Sequence, residues 1–385
     1  MSTDYIELYL DSEQLPESEE VDAAIQTGQT LIEKIFEARP FEEVKALIDQ
    51  DAPLWYQDNE GNSALHAAAY IEDKELVDYL IGKGAVWNAV DILGNTAGDV
   101  ALSLNNVECY RSIRDAGLRS EYLLSHLSSK KTLVTSSSSI ILRADDTTAA
   151  GSPSEFLSSQ LLFKRDDHGQ EVCLVKVGDE EVGVMMGWER DIMQETVNRL
   201  CDGLEGGYSF LNVGFGLGII DSIFQALPNP PTRHFIIEAH PDVLRHMCEL
   251  GWYEKPGVTI LEGRWQDFIE SEEIMAIDGF DVIYTDTFSE DYEALHTFFG
   301  HLPDLLSGPD ARFSFFNGLG ATNALFYDVY TQLSELHLSN VGLNVKWSDV
   351  DLMKDPEEVD KWGGTRNYFS MRFYRLPIAR MSILG

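Results

Sequence analysis

The sequence predicts an α/β domain, with a mainly parallel sheet and an antiparallel hairpin at its edge, preceded by an all-α repeat domain. Three observations carry this. From about residue 155 onward, short apolar runs alternate with helix-like segments, the pattern of strands joined by crossover helices. The stretch Asn212-Val213-Gly214-Phe215-Gly216-Leu217-Gly218 closes one apolar run, Tyr208 to Val213, and opens a helix-like one, Ile219 to Leu227. Residues of the first third recur at a shift of 33 positions.

The repeat comes first along the chain. Asp58, Gly61, Asn62, Ala64 and Ala68 return as Asp91, Gly94, Asn95, Ala97 and Ala101; Val44, Leu47, Ile48 and Ala52 return as Val77, Leu80, Ile81 and Ala85. A fixed period of this kind marks stacked units, none of which can bury a face alone. Gly61-Asn62-Ser63-Ala64-Leu65-His66-Ala67-Ala68 resembles the start of the first helix of an ankyrin repeat. Leu76 to Ile81 looks like its second helix, with Gly82-Lys83-Gly84-Ala85 at its end. The third unit has Gly98 and Asp99 where Leu and His belong, as in a degenerate capping repeat. In this motif the histidine, here His66, ties neighbouring loops by hydrogen bonds. The resemblance implies an ankyrin-repeat domain over 1–124 that offers a protein-contact surface; a passive platform for the following domain is the alternative.

Residues 125–154 read as a Ser-rich linker, polar and turn-prone, with Ile140-Ile141-Leu142 as a short strand-like interruption. The α/β domain then occupies 155–385. Strands are expected near 208–213, 234–238, 258–261, 280–285 and 311–316, and helices at 190–201, 217–227, 241–250 and 291–306. The runs 343–347 and 368–375 suit an antiparallel hairpin at the sheet edge.

Glycines at alternate positions let a strand turn sharply and bring backbone close to a ligand at a helix N-terminus. Glu238 ends the next apolar run, where a carboxylate can take both hydroxyls of a ribose. A nucleoside cofactor follows. The dinucleotide fingerprint wants a third glycine where Ile219 stands, so NAD is disfavoured and the turn looks more like an S-adenosylmethionine site. Gly214, Glu238, the Gly263 region and Asp286 all fall at expected carboxyl ends of strands, where such sheets bind ligands.

Bulk properties bound the partners. A chain of 385 residues has room for two or more domains, and its 44% hydrophobic content is that of a globular protein. No apolar run of 18 residues exists, so no membrane span is expected. Met1 to Glu20 is acidic and unlike a secretory signal. Cys109, Cys173, Cys201 and Cys248 are scattered, which suits reduced intracellular thiols and shows no zinc-binding spacing. These features point to the cytoplasm, with the nucleus open to it. A formal charge of −37 argues against nucleic-acid binding. It fits either solubility alone or attraction of a basic, arginine-containing protein substrate.

Beyond the glycine turn, residues 155–385 resemble guanidinoacetate N-methyltransferase and its relative, the fungal and plant type IV protein arginine N-methyltransferase that modifies the delta nitrogen. The matching pieces are Val184-Met185-Met186-Gly187-Trp188-Glu189 with Met193, Val213-Gly214-Phe215-Gly216, Ile236-Ile237-Glu238, Gly263-Arg264-Trp265, Phe280 to Thr287 and His296-Thr297; Arg366-Asn367-Tyr368 matches loosely. The ankyrin-like region is what distinguishes the arginine enzyme from the small-molecule one. The resemblance implies a class I S-adenosylmethionine-dependent methyltransferase fold, Rossmann-like, and a set of site residues. Gly214, Phe215, Gly216, Leu217, Gly218, Ile219 and Ile220 would wrap the methionine and ribose, with Glu238, Ala239 and His240 at the ribose. Trp265 and Gln266 would lie at the adenine, Met185 and Met193 beside the sulfonium, and Phe163 over the cofactor. Many enzymes of this fold carry an acid where Asn212 stands, so this chain departs from them there.

Arginine's guanidinium stays protonated in water and offers only N–H donors. The methyl donor is also a cation, so carboxylates are needed to offset repulsion, orient the guanidinium and take its proton. Asp286 and Glu189 match the family's base and second guanidino-binding carboxylate; Asp286 is also expected beside the cofactor. A strand-end Asp can instead cap the next helix. Asp281 reads as a backbone anchor, His296 as a residue that orients the site, and Asn317-Gly318 as pocket lining. Two other functions stay open at this point: a small-molecule guanidino methyltransferase, and an ankyrin adaptor whose α/β domain binds cofactor without turnover.

Overall fold

The computed structural model describes residues 18–129, 153–166, 169–177, 180–288, 290–352 and 368–382. Residues 130–152 of the expected linker, Ile140 to Leu142 among them, lie outside the described residues, as do Arg366 and Asn367. The chain divides into two compact units, Met1–Gly117 and Leu118–Gly385.

Helices account for the first unit: α1 (Ser18–Phe36), α2 (Phe41–Ile48), α3 (Ala64–Tyr70), α4 (Lys74–Gly82), α5 (Ala97–Ser103) and the start of α6 (Val107–Ser129). The repeat is visible in the caps. Ser63 and Thr96, 33 positions apart, each accept the N3 backbone N–H of the helix that follows. His66 behaves as the motif implies: its Nδ1 accepts the Ser63 amide (3.1 Å) and its Nε2 donates to the Asn95 carbonyl of the next loop (3.0 Å). Buried Ala64, Ala67, Ala68, Leu76, Val77 and Leu80 form the interior, small residues allowing α3 to pack closely.

The second unit continues with α7 (Pro153–Ser158), β1 (Leu161–Arg165), β2 (Glu171–Val177), β3 (Glu180–Met186) and α8 (Arg190–Cys201). Then follow β4 (Ser209–Val213), α9 (Ile219–Gln225), β5 (Arg233–Glu238), α10 (Pro241–Glu249), β6 (Val258–Glu262), and two single turns, α11 (Trp265–Phe268) and α12 (Glu272–Met275). The rest is β7 (Val282–Thr285), α13 (Tyr292–Leu305), β8 (Arg312–Phe315), α14 (Ala324–Asn340), β9 (Leu343–Asp351) and β10 (Phe373–Met381). Seven strands form one sheet in the order β6-β5-β4-β7-β8-β10-β9. β6, β5, β4, β7 and β8 run parallel; β10 is antiparallel to both its neighbours. The central strands are buried on both faces. Phe210, Ile236, Val282 and Tyr284 enter one core layer, and Leu211, Val213, Ile237 and Ile283 enter the other. Continuous apolar runs are what such strands require.

All five parallel strands and the four helices expected from the sequence are present to within two residues at their ends. The hairpin is present but longer and later, pairing Phe373↔Asp351 through Met381↔Leu343. Its second strand lies inside the sheet, between β8 and β9. Pro377 weakens the strand signature there, since it has no N–H for a ladder. Its carbonyl is instead held by the Ser314 hydroxyl (2.7 Å). The separate antiparallel sheet β1-β2-β3, α14 and the short helices α7, α11 and α12 carry no assignment from sequence, and the two ends of the expected linker, 125–129 and 153–154, are helical, in α6 and α7. The small sheet ends in a short 3-10 turn, Gly187–Glu189, and so sets the position of Glu189.

Candidate active site

Strand order reverses around β4, whose crossovers lead first to β5 and β6 and later to β7 and β8. Ligands in open parallel sheets bind outside the carboxyl ends at such a point. The turn after β4 has Gly214, Gly216 and Gly218 at φ +93°, +56° and +66°, all in the left-handed region. At Gly214 a Cβ would lie 2.0 Å from the Asp286 carbonyl oxygen, so only glycine fits. Backbone bonds knit the strand ends: Gly214 N–H donates to Ile237 O and Asp286 N–H to Val213 O, both at 2.9 Å. The glycine turn and Asp286 are therefore neighbours.

Phe215, Ile219 and Ile220 point into the core, while Leu217 is partly buried, so the turn offers a ligand mainly backbone. Met185 lies on the turn, with Sδ accepting the Leu217 amide (3.1 Å). Its Sδ and Cε are 2.8 Å from where a Cβ on Gly216 would stand. Met193 is fully buried and its Sδ accepts the Tyr284 hydroxyl (3.3 Å).

Glu238 is buried at the end of β5 and accepts the amides of Phe215 (2.8 Å) and His240 (2.7 Å). Burial raises its carboxyl above the ordinary range, against the pull of those amides. The amides of Gly216 and Ala239 also face this carboxylate, so backbone donors from the glycine turn and from the residues after β5 hold it in place. Ala239 beside it is half-buried. His240 donates through Nε2 to the Phe156 carbonyl (3.0 Å) and caps α10 through Nδ1. Phe156, not singled out by sequence, packs on His240 and Phe288 with ring centroids 4.9 and 4.8 Å away. Phe163 stands on β1 and stacks on His246 of α10 at 4.2 Å.

Trp265 is buried and its Nε1 donates to both carboxylate oxygens of Glu290, at 3.0 and 2.9 Å. Gln266 Nε2 (2.9 Å) and Thr287 Oγ1 (2.7 Å) donate to the same carboxylate. Glu290 thus ties the loop bearing Asp286 to α11. Sequence reading missed it, because an acid inside Thr287 to Asp291 looks like any capping residue.

Glu189 is 2% exposed. Its Oε1 accepts the Met186 amide (3.1 Å) and the Tyr368 hydroxyl. Burial, and then the charge of Asp286, raise its carboxyl well above the usual range. Burial also raises Asp286. Glu189 thus lies within electrostatic reach of Asp286. No described residue hydrogen-bonds the Asp286 side chain, and α13 is capped by Asp291, whose carboxylate accepts the Ala294 amide (3.0 Å). Asp286 is thereby spared the helix-capping role.

Asn212 is fully buried, with Nδ2 donating to Gly214 O (3.0 Å) and Asp221 Oδ2 (2.8 Å). Asp221 Oδ1 in turn accepts from His234 Nε2 (2.8 Å). An ionised acid at 212 could donate to neither partner, whereas the asparagine amide donates to both. Asp281 anchors backbone as expected, accepting Ser209 N–H and Ser307 Oγ, each at 2.8 Å. His296 stacks on His337 (3.7 Å), and no hydrogen bond links it to either carboxylate among the described residues. Asn317 spends its Nδ2 on Tyr327, Thr331 and the Arg375 carbonyl, holding the end of β8.

Two family profiles match the chain: ankyrin repeats over residues 32–81, and guanidinoacetate N-methyltransferase over residues 175–311. A protein arginine N-methyltransferase 2 of Cryptococcus neoformans is 42% identical over 359 residues, covering 88% of this chain and 91% of that protein. The protein of the same name from Aspergillus oryzae is 35% identical over 86% of this chain and 84% of its own length. That from Saccharomyces cerevisiae is 35% identical over 80% and 79%. Similarity of this extent, spanning most of each protein's length, makes the chain a member of the protein arginine N-methyltransferase 2 family.

Proposed function

We propose that the chain transfers a methyl group from S-adenosylmethionine to a guanidino nitrogen of arginine residues in a protein substrate. The observation that supports this reading is the Asp286 backbone packed against the glycine turn, with the buried Glu189 carboxylate within reach of the Asp286 charge. The delta nitrogen as acceptor follows from the resemblance to type IV enzymes.

The residues present suit the cofactor. The turn at Gly214 to Gly218 is one that side chains would fill, Glu238 places a carboxylate at the end of β5 against that turn, and the Met185 thioether offers a soft contact. When bound, S-adenosylmethionine supplies an electrophilic methyl carbon on a sulfonium. Glu189 and Asp286 would pair with the guanidinium N–H donors through charge-assisted bonds, strongest where water is excluded. Fixing the guanidinium plane aligns the acceptor nitrogen, an entropic advantage worth several kcal/mol, on the order of 7 or more. The nitrogen must shed a proton as it gains the methyl group, and Asp286, free of other partners, is the acceptor for it. Both carboxyls must be ionised to hold the cation. Because both are raised, activity is lost on acidification at a pH above the ordinary carboxylate range.

The decisive experiment offers labelled cofactor with an arginine-rich protein and, in parallel, guanidinoacetate. Label in the protein supports the reading; label only in the small molecule overturns it, and label in neither leaves a cofactor-binding adaptor. Fragment masses of the modified arginine then distinguish an internal from a terminal nitrogen.

A further inference from the structure

Three tyrosines stand around the two carboxylates: Tyr284 on β7, Tyr374 on β10 and Tyr368 just before β10. Burial and the charges of Glu189 and Asp286 raise all three phenols. Their hydroxyls point to different partners. Tyr284 donates to Met193 Sδ (3.3 Å) and Tyr374 to the Phe315 carbonyl (3.3 Å). Tyr368 donates to Glu189 Oε1. The Tyr368 ring is braced by Trp188, 5.8 Å away between centroids, on the same turn that carries Glu189.

The two oxygens of Glu189 are not equivalent. Oε1 receives both the Met186 amide and the Tyr368 hydroxyl, whereas Oε2 takes no hydrogen bond from any described residue. Two donors on one oxygen fix the carboxylate's rotation. We propose that Tyr368 is a positioning residue for the arginine substrate: by occupying Oε1 together with Met186, it turns Oε2 toward the guanidinium. This rests on the methyltransferase reading above. The guanidinium then meets one free oxygen from Glu189 and two from Asp286. A planar fork of N–H donors matches that three-point set better than it matches a freely rotating carboxylate.

The hydroxyl has a second consequence. Donating to Glu189 favours its ionised form, opposing both burial and the like charge of Asp286. Glu189 therefore becomes able to pair with a cation at a lower pH than it would without Tyr368.

The test is Tyr368→Phe in the full chain, with an arginine-rich basic protein and S-adenosylmethionine as substrates. The acid limb of the kcat/KM profile should move to higher pH, and KM for the protein should rise about tenfold, the loss of one charge-assisted hydrogen bond. The Kd for S-adenosylmethionine, read by calorimetry, should stay within about twofold on the same account. An unmoved acid limb with unchanged KM overturns the inference. So does a parallel loss of cofactor binding and thermal stability without a pH shift, which would mean that Tyr368 is only structural. Should the Phe variant not fold, 3-fluorotyrosine at 368 keeps the ring and makes the hydroxyl a stronger donor, so the limb should move to lower pH. No movement there also overturns the inference. If the unaltered chain methylates no arginine, the methyltransferase reading itself fails; if it does and Tyr368→Phe behaves like it, only the role of Tyr368 fails.

Discussion

Asp286 carries a carboxylate that neither caps a helix nor meets a donor among the described residues, in a setting that disfavours its charge. Such a group costs stability when it is ionised. Its folded value lies above the ordinary one near 4, so the folded state holds a proton that the unfolded chain has released. Stability falls as pH rises from the unfolded value through the folded one. Asp286→Asn escapes that loss. The variant should bind cofactor, transfer no methyl, and melt higher than the parent at neutral pH, by about 2–4 °C per kcal/mol relieved. Below about pH 4 the two should melt alike; equal melting at pH 7 would remove the argument from burial. Asn212 makes the opposite case. Asn212→Asp would put a second carboxyl 2.8 Å from Asp221 Oδ2, where the pair must repel or take up a proton at neutral pH, and scanning calorimetry should show destabilisation of roughly 3 kcal/mol.

Elements were legible where burial imposes a simple pattern. β4, β5 and β7 are buried on both faces and read as unbroken apolar runs, and their carboxyl ends supply the glycine turn, Glu238 and Asp286. α14 shows why others were not. Leu325 to Thr331 are all buried, so this helix presents no apolar stripe with a polar back, and periodicity has nothing to detect. In β1–β3 the charged Lys164, Arg165, Glu171, Lys176 and Glu181 interrupt short apolar stretches. Tyr368 was legible only as the end of a loose family match, Arg366-Asn367-Tyr368, without a role, and Glu290 not at all, because each acts through a partner distant in sequence. Glu290 gathers donors from α11 and from the loop after β7. Glu290→Ala leaves the buried Trp265 indole N–H without an acceptor, a cost of about 1–3 kcal/mol. If Trp265 lies at the adenine, cofactor Kd should rise by about tenfold, while variants of the repeat unit leave it alone. A Kd unchanged by Glu290→Ala would detach Trp265 from the cofactor.

At the scale of the whole molecule, the chain proposed to bind a cation carries a formal charge of −37. Fields of this kind raise encounter rates with basic partners and fade beyond a Debye length of about 8 Å at physiological salt. KM for an arginine-rich protein should therefore climb steeply between low and physiological salt. KM for a short, neutral peptide with one arginine should change little, since the contacts at Glu189 and Asp286 are short-range; equal salt dependence for both would deny the field any part in capture. The interior placement of β10 bears on biosynthesis. β8 emerges from the ribosome well before its neighbour, and translation needs on the order of several seconds to reach Met381. Through that interval β8, whose Phe313 and Phe315 belong to the core, waits with one edge unpaired, so nascent chains stalled short of Met381 should be chaperone clients prone to sticking together.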